Sequence, residues 1–255
     1  MRFSILTIFT EMFADFLRHG IVRRALQKSL IEVETTDLRH FAEGRHRVTD
    51  DRPYGGGCGM VMKPEPLVGA IRAAKAVQPD AMTILLTPQG RTFDQRLAVD
   101  LSRLPGLILV CGRYEGVDER VKQEHVDAEL SIGDFVMTGG ELAAMVVIDA
   151  VTRLLPGALG DEDSAHHDSF SQDLLDHAHY TRPPDFETAA VPDVLLSGNH
   201  QAVAQWRMAS ALARTLLKRP DLLAEKDLTR EELAVLARWH DRLKRIMEAA
   251  KHRVQ

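Results

Sequence analysis

From its first residue to about residue 157 the chain alternates short β-rich apolar runs with segments whose apolar positions recur at helical spacing. Alternation of this kind dictates an α/β fold, because each strand-helix-strand passage lays a strand beside a parallel neighbour. Strands are predicted over residues 2–8, 31–37, 82–87, 107–111 and, shorter, 129–132. Between them GIVRRALQKSL, PLVGAIRAAKAV, DQRLAVDLSRL and DERVKQEHV read as helices, with Pro66 placed where an early helical residue lacks an N–H partner anyway. A further, mostly buried helix is expected over ELAAMVVIDAVTRLL. Thr138 and Glu141 form a capping-box pattern at its start, and Pro156-Gly157 stop it.

After residue 160 the grammar changes. Residues 161–193 hold nine acids against the single Arg182, with four histidines and few apolar positions, and read as a long polar interdomain linker. Residues 194–255 then carry two amphipathic helical stretches split by Pro220, with a second capping-box pattern from Thr229 to Glu232. The predicted organisation is an α/β domain over 1–160, the acidic linker over 161–193 and a small helical domain over 194–255. With 255 residues there is ample sequence for a core.

Composition excludes several classes. No apolar run approaches the roughly 18 residues of a membrane span. The start MRFSILTIFTEMF meets Glu11 and Asp15 without a small-residue cleavage pattern, so no signal peptide is expected. Two distant cysteines, Cys58 and Cys111, argue for a reducing cytoplasm and against a disulfide scaffold. The net charge of -5 conceals a polarity: residues 205–255 hold twelve Lys or Arg against seven acids, and LRHFAEGRHRVTDDR adds a second basic cluster. A polyanion could be held at both.

No P-loop is present, and the first strand leads into Thr10-Glu11-Met12 without the glycine fingerprint of a dinucleotide site. Gly139 and Gly140 alone fit a tight strand-to-helix turn. Joined to LLTPQGR and CGRYEGVDERV they become three glycine- or proline-bearing loops after three apolar strands, the usual walls of a ligand crevice. Gly55, Gly56, Gly57 and Gly59 fit either a hairpin tip or close approach to a flat ligand. Cys58 has no evident base to make it a nucleophile. His166, His167, His177 and His179 match no strong zinc spacing and read as solvated loop residues. Trp206 and Trp239 read as packing residues, a stacking role being the minor alternative.

In their order, PYGGGCGMVMKPEP, LLTPQGR, CGRYEGVDERV, ELSIGDFVMTGGELAAMVVIDAVTRLLPG, SAHHDSF, HYTRP and VPDVLLSGNH resemble the bacterial tRNA (guanine-N1)-methyltransferases of the SPOUT superfamily, over nearly the whole chain. The resemblance implies a parallel sheet whose chain threads a deep trefoil knot, with a small C-terminal helical domain. It also implies a homodimer with active sites shared between subunits, and methyl transfer from S-adenosylmethionine to N1 of guanine 37 in tRNA. Matched motif by motif, cofactor contacts fall on Leu85, Leu86, Thr87, Pro88 and Gln89, and on Gly112, Arg113, Tyr114, Glu115 and Gly116. They continue on Ile132, Gly133, Asp134, Phe135, Val136 and Met137, with Gly139 and Gly140. Phe135 stands where relatives often carry Tyr. The general base falls on Asp168, a catalytic arginine on Arg153, and an acidic residue tied to magnesium on Glu115. A SPOUT enzyme with another RNA target, or a silent RNA-binding protein that keeps the pocket, are the alternatives. HHDSF and GGGCGM speak against the first, and Asp168 with Arg153 against the second.

Overall fold

The computed structural model describes residues 1–160 and 168–251 and divides the chain into two compact units, Met1–Ala165 and His166–Gln255. Nine strands are described, β1 to β9, of which β1 (Arg2–Thr7), β2 (Glu32–Asp37), β5 (Met82–Thr92), β6 (Gly106–Cys111) and β7 (Ala128–Ser131) form one parallel sheet in the order β2-β1-β6-β5-β7. β3 (Asp50–Asp51) and β4 (Val61–Met62) make a short antiparallel pair. The helices of this unit are α1 (Gly20–Gln27), α2 (Pro64–Val77), α3 (Gln95–Ser102), α4 (Glu119–His125) and α5 (Glu141–Thr152).

Side chains alternate across a strand, so each strand of the sheet's middle feeds two cores. Phe3, Ile5, Ile84, Leu86, Leu107 and Leu109 face one side, where Val22 of α1, Leu101 of α3 and the apolar stripe of α5 cover them. Leu6, Leu85, Ile108 and Val110 face the other, under Leu67, Ala70 and Ile71 of α2 and Val121 of α4. Every residue of β6 is buried, as its unbroken apolar sequence requires of a strand covered on both faces.

The strand expected to stop at Thr87 instead resumes after a loop. Leu130 of β7 pairs first with Leu86 and then with Arg91, so residues 87–90 bulge out of the sheet. Gly90 is what lets the strand return: a Cβ there would collide with the backbone of Glu129 and Leu130. The other predicted strands lie within one residue of those found, and helix α5 ends three residues before the expected stop, with Arg153 as its C-cap.

The second unit has its own small core of Leu174, Leu212 and Val235, with Met208, Leu223 and Trp239 packed against it. Its longer helices are His200–Lys218 and Arg230–Lys251, with Pro220–Glu225 between them. The predicted cap at Thr229 is built in full: its N–H donates to Glu232 Oε2 at 2.8 Å, and the Glu232 N–H donates to Thr229 Oγ1 at 3.2 Å. From residue 168 onward the stretch read as linker is structured within this unit. Leu174 sits in the core, Leu175 N–H donates to Thr215 Oγ1 at 2.9 Å, and Ala178 N–H donates to Ser210 Oγ at 3.0 Å. β8 (Asp185–Phe186) and β9 (Ala189–Ala190) close a small antiparallel pair further on. Two isolated leucines in an acidic stretch carry no periodicity, so the sequence hides this anchoring. Among the described residues no helix is long and apolar enough to cross a membrane.

Candidate functional site

Loops leaving the carboxyl ends of three adjacent parallel strands open onto a common crevice, the place where α/β sheets bind ligands. Here β6, β5 and β7 supply the loops, and together with the start of α5 they enclose a cavity of about 240 Å³. Its walls include Leu85 to Gln89 from the bulge, Gly112 to Gly116 after β6, and Ile132, Gly133, Phe135, Val136, Met137, Gly139 and Gly140 after β7. All the residues matched to cofactor loops therefore line one cavity, with the exception of Asp134, which is not part of the wall. Lining residues outside that set are Val117, Lys122, Leu130, Ser131, Thr138 and Ala143.

Backbone bonds hold the walls together. Gly140 N–H donates to Gly112 O at 2.9 Å, and Arg113 and Gly139 form an isolated antiparallel bridge. The loop after β6 is pinned from the other side by Glu115 N–H to Met60 O at 3.0 Å and Met62 N–H to Gly116 O at 2.9 Å. Lys122 Nζ reaches Gln89 Oε1 at 2.9 Å and so ties α4 to the bulge. Ser131 Oγ both donates to Gly133 O and accepts from Gly133 N–H, at 3.0 and 3.2 Å, which tightens the turn after β7.

The capping box expected of Thr138 and Glu141 does not form. Gly140 is the N-cap of α5 and no side chain caps it, while the Glu141 carboxylate turns inward to Thr7 and Arg113. A local pattern lost to a tertiary one because the part-buried Arg113 guanidinium offered Glu141 stronger bonds than a backbone N–H would. Glu141 is the residue the sequence reading missed, its capping pattern having masked it.

Glu115 lines the cavity and its carboxylate lies against Gly59, which leaves that glycine no room for a Cβ. By contrast, a Cβ on Gly55 or Gly56 would meet nothing within 4 Å, and Tyr54 and Cys58 are exposed. This part of the glycine-rich segment is a hairpin tip. Cys111 lies beneath the cavity floor, and burial pushes its thiol well up, which removes it as a nucleophile. Burial, aided by Asp50, also raises the Tyr114 phenol.

Arg153 belongs to the first unit and Asp168 to the second. Both are half-buried, and both have interactions with other groups. Asp168 opens a tight turn: its carbonyl accepts Ser171 N–H at 3.2 Å, Phe170 N–H donates to Leu174 O at 2.7 Å, and Asp176 N–H donates to Ser169 Oγ at 3.0 Å. Leu174 in the core anchors that turn.

Of the histidines, His166 and His167 lie outside the described residues. His177 and His179 are not both solvated, since His177 is largely buried. Each ring bonds Asp176 at 2.7 Å, and Trp206 stands edge-on to His177 with centroids 6.5 Å apart. The three side chains present ligand atoms within 4.8 Å of one another, but the Asp176 carboxylate already accepts from both rings and from the His177 backbone, so hydrogen bonding accounts for the cluster. Burial works against the Asp176 carboxylate, yet the bonds from His179 and His177 hold it below the usual range. Burial, joined by the nearby His179 and Arg207, lowers His177 despite the Asp176 carboxylate beside it. A depressed histidine resists protonation in the folded state, so its contribution is complete above the unfolded value of 6.5 and is lost as pH falls below it. Both tryptophans lie in the second unit, so urea unfolding followed by their fluorescence should show a lower midpoint at pH 5.5 than at pH 7. His177→Gln should shrink that difference, and an equal difference in the variant would show that other groups carry it.

The family model described as tRNA (Guanine-1)-methyltransferase TrmD matches residues 1–225. Curated relatives named tRNA (guanine-N(1)-)-methyltransferase match over most of both chains. The Methylococcus capsulatus protein is 53% identical over 99% of this chain and 100% of its own. That of Desulfatibacillum aliphaticivorans is 54% identical over 94% and 91%, and that of Myxococcus xanthus 55% over 94% and 97%. With its parallel sheet, its three-loop cavity and these relatives on one chain, the protein belongs to the tRNA (guanine-1)-methyltransferase TrmD family.

Proposed function

We propose that this chain transfers the methyl group of S-adenosylmethionine to N1 of guanine 37 in tRNA, beside the anticodon. The observation that carries the reading is the convergence of three motif-bearing loops on one cavity in a member of this family. The cations of the wall, Arg113 and Lys122, are already paired with Glu141 and with Glu119 and Glu129, which suits an adenosine with a sulfonium better than a phosphate chain. The loops 112–116 and 138–140, laced together by backbone bonds, are where we expect the chain to thread a trefoil knot.

The chemistry asks for alignment and one proton transfer. Neutral guanine carries hydrogen on N1, so a base must take that proton as the methyl arrives and the carbon-sulfur electron pair returns to sulfur. Asp168 is assigned as that base, held by its turn. Arg153 is assigned to the negative charge that develops at O6, which also acidifies N1. Magnesium, with few protein ligands and several waters, asks for only one carboxylate from the protein, and Glu115 is among the residues lining the cavity. Glu115 would hold it, and the ion would supply positive charge there.

Guanine must leave the anticodon-loop stack, at a cost of a few kcal/mol. The exposed Arg45, Arg47 and Arg52, and Arg238, Arg242, Lys244, Arg245 and Lys251 on the last helix, are the groups we assign to tRNA phosphates. Leu142 and Val146, one turn apart on α5 and both exposed, join Phe135 and Val136 as apolar surface suited to a homodimer contact. A cytoplasmic setting follows from the substrate. Incubation of the purified chain with labelled S-adenosylmethionine and tRNA transcripts, followed by mapping of the product, tests the reading. N1-methylguanosine at position 37 is expected, and transfer that survives replacement of guanine 37 would overturn the substrate assignment.

A further inference from the structure

Glu141, 1% exposed, is the most buried acid among the described residues. It stands directly behind Gly139 and Gly140, and its carboxylate joins groups from two other strand ends. Thr7 Oγ1, at the end of β1, donates to it at 2.8 Å. Arg113, after β6, donates from Nε at 3.0 and 3.2 Å and pairs through Nη2 at 3.0 Å. The guanidinium also lies over the Phe9 ring, 4.2 Å from its centroid, and Phe9 N–H in turn donates to Thr7 Oγ1 at 3.0 Å. A Cβ on Gly139 would overlap both Glu141 and Arg113, so the loop backbone is pressed onto the ion pair.

We propose that Glu141 is a positioning residue that, through Arg113, fixes the separation of the two loops walling the cavity, and that the charge of Arg113 is spent on this wall and not on a ligand. The proposal rests on the reading of the cavity as the S-adenosylmethionine site. A forked guanidinium-carboxylate pair sets distance and angle together, and burial makes each partner depend on the other. Ligand recognition on this side of the cavity then falls to backbone groups, whose places the pair determines. That differs from the cofactor contact that motif matching gives Arg113.

Calorimetry of S-adenosylmethionine binding to the full chain tests this, with Glu141→Gln, Arg113→Gln and the double variant beside wild type, and with kcat and KM measured on tRNA. Each single change should weaken cofactor binding by about tenfold, within the range of coupled buried pairs, and the double should be no worse than the worse single. At saturating cofactor kcat should stay within about threefold, since the pair touches no reacting atom. Losses that multiply in the double would place Arg113 on the ligand independently and overturn the proposal. So would variants that melt at lower temperature yet bind cofactor as wild type does. Wild type that binds no S-adenosylmethionine would overturn the reading of the cavity and this proposal with it. Should Glu141→Gln fail to fold, Thr7→Val removes one bond to the same carboxylate and leaves the charges paired. It should weaken cofactor binding by about threefold, the worth of one hydrogen bond, and unchanged affinity would sink the proposal.

Discussion

Replacing Asp168 with alanine is expected to lower kcat for tRNA methylation by about 10²- to 10⁴-fold, the contribution typical of a positioned general base. Cofactor affinity should change by less than about twofold, because Asp168 is not among the residues that line the cavity. The turn that carries Asp168 is held by backbone bonds and by Leu174, and a melting curve of the variant shows whether it folds as wild type does. Single-turnover methyl transfer separates the chemical step from binding, and calorimetry gives the affinity. A parallel loss of cofactor binding would remove Asp168 from the role of base.

The same variant examines the sharing of active sites between subunits that the family resemblance implies. If Arg153 and Asp168 act together from different subunits, mixing Arg153→Ala with Asp168→Ala protein should regenerate roughly a quarter of wild-type activity, since half the dimers would then hold one intact site of two. Activity no greater than that of the separate variants would assign both residues to one chain's site.

How much of this was legible depended on whether the cause was local. β6 could be read from GLILVC because a strand buried on both faces is apolar throughout, and the Thr229–Glu232 cap could be read because its partners are three residues apart. The same grammar misread Thr138 and Glu141, since Thr7 and Arg113 lie far away in sequence and outbid the local bond. Pro88 read as the end of a strand; the return to β7 depends on Gly90 clearing the backbone of Leu130, a contact across the sheet. Leu174 looked like a stray apolar residue in a linker until the helices of the second unit supplied its neighbours. The three cavity loops could be read from glycines and prolines that follow apolar strands, their individual contacts came from resemblance, and only geometry separates Asp134, outside the wall, from the rest.

Gly140→Ala should injure the cavity by pressing its wall against backbone that cannot move aside. The glycine has φ -80° and ψ -5°, open to every residue, so backbone freedom is not why glycine stands there. Close approach is the reason: a Cβ would lie 2.9 Å from Cys111 Cα, 3.1 Å from Leu86 Cβ and 3.2 Å from Gly112 N, all in the floor formed by β5 and β6. The loop cannot retreat without stretching the 2.9 Å bond from Gly140 N–H to Gly112 O. Overpacking of this kind costs about 1–3 kcal/mol. If the protein relieves it by displacing the 138–140 loop, the same energy must be returned when a ligand draws the loop back. Cofactor affinity would then fall by about 5- to 150-fold, with a smaller drop in melting temperature. Gly160→Ala, where a Cβ meets nothing within 4 Å, serves as the control and should bind as wild type does. Calorimetry on the two variants decides the matter, because wild-type affinity in Gly140→Ala would mean that the loop and the sheet floor do not meet as closely as this geometry requires.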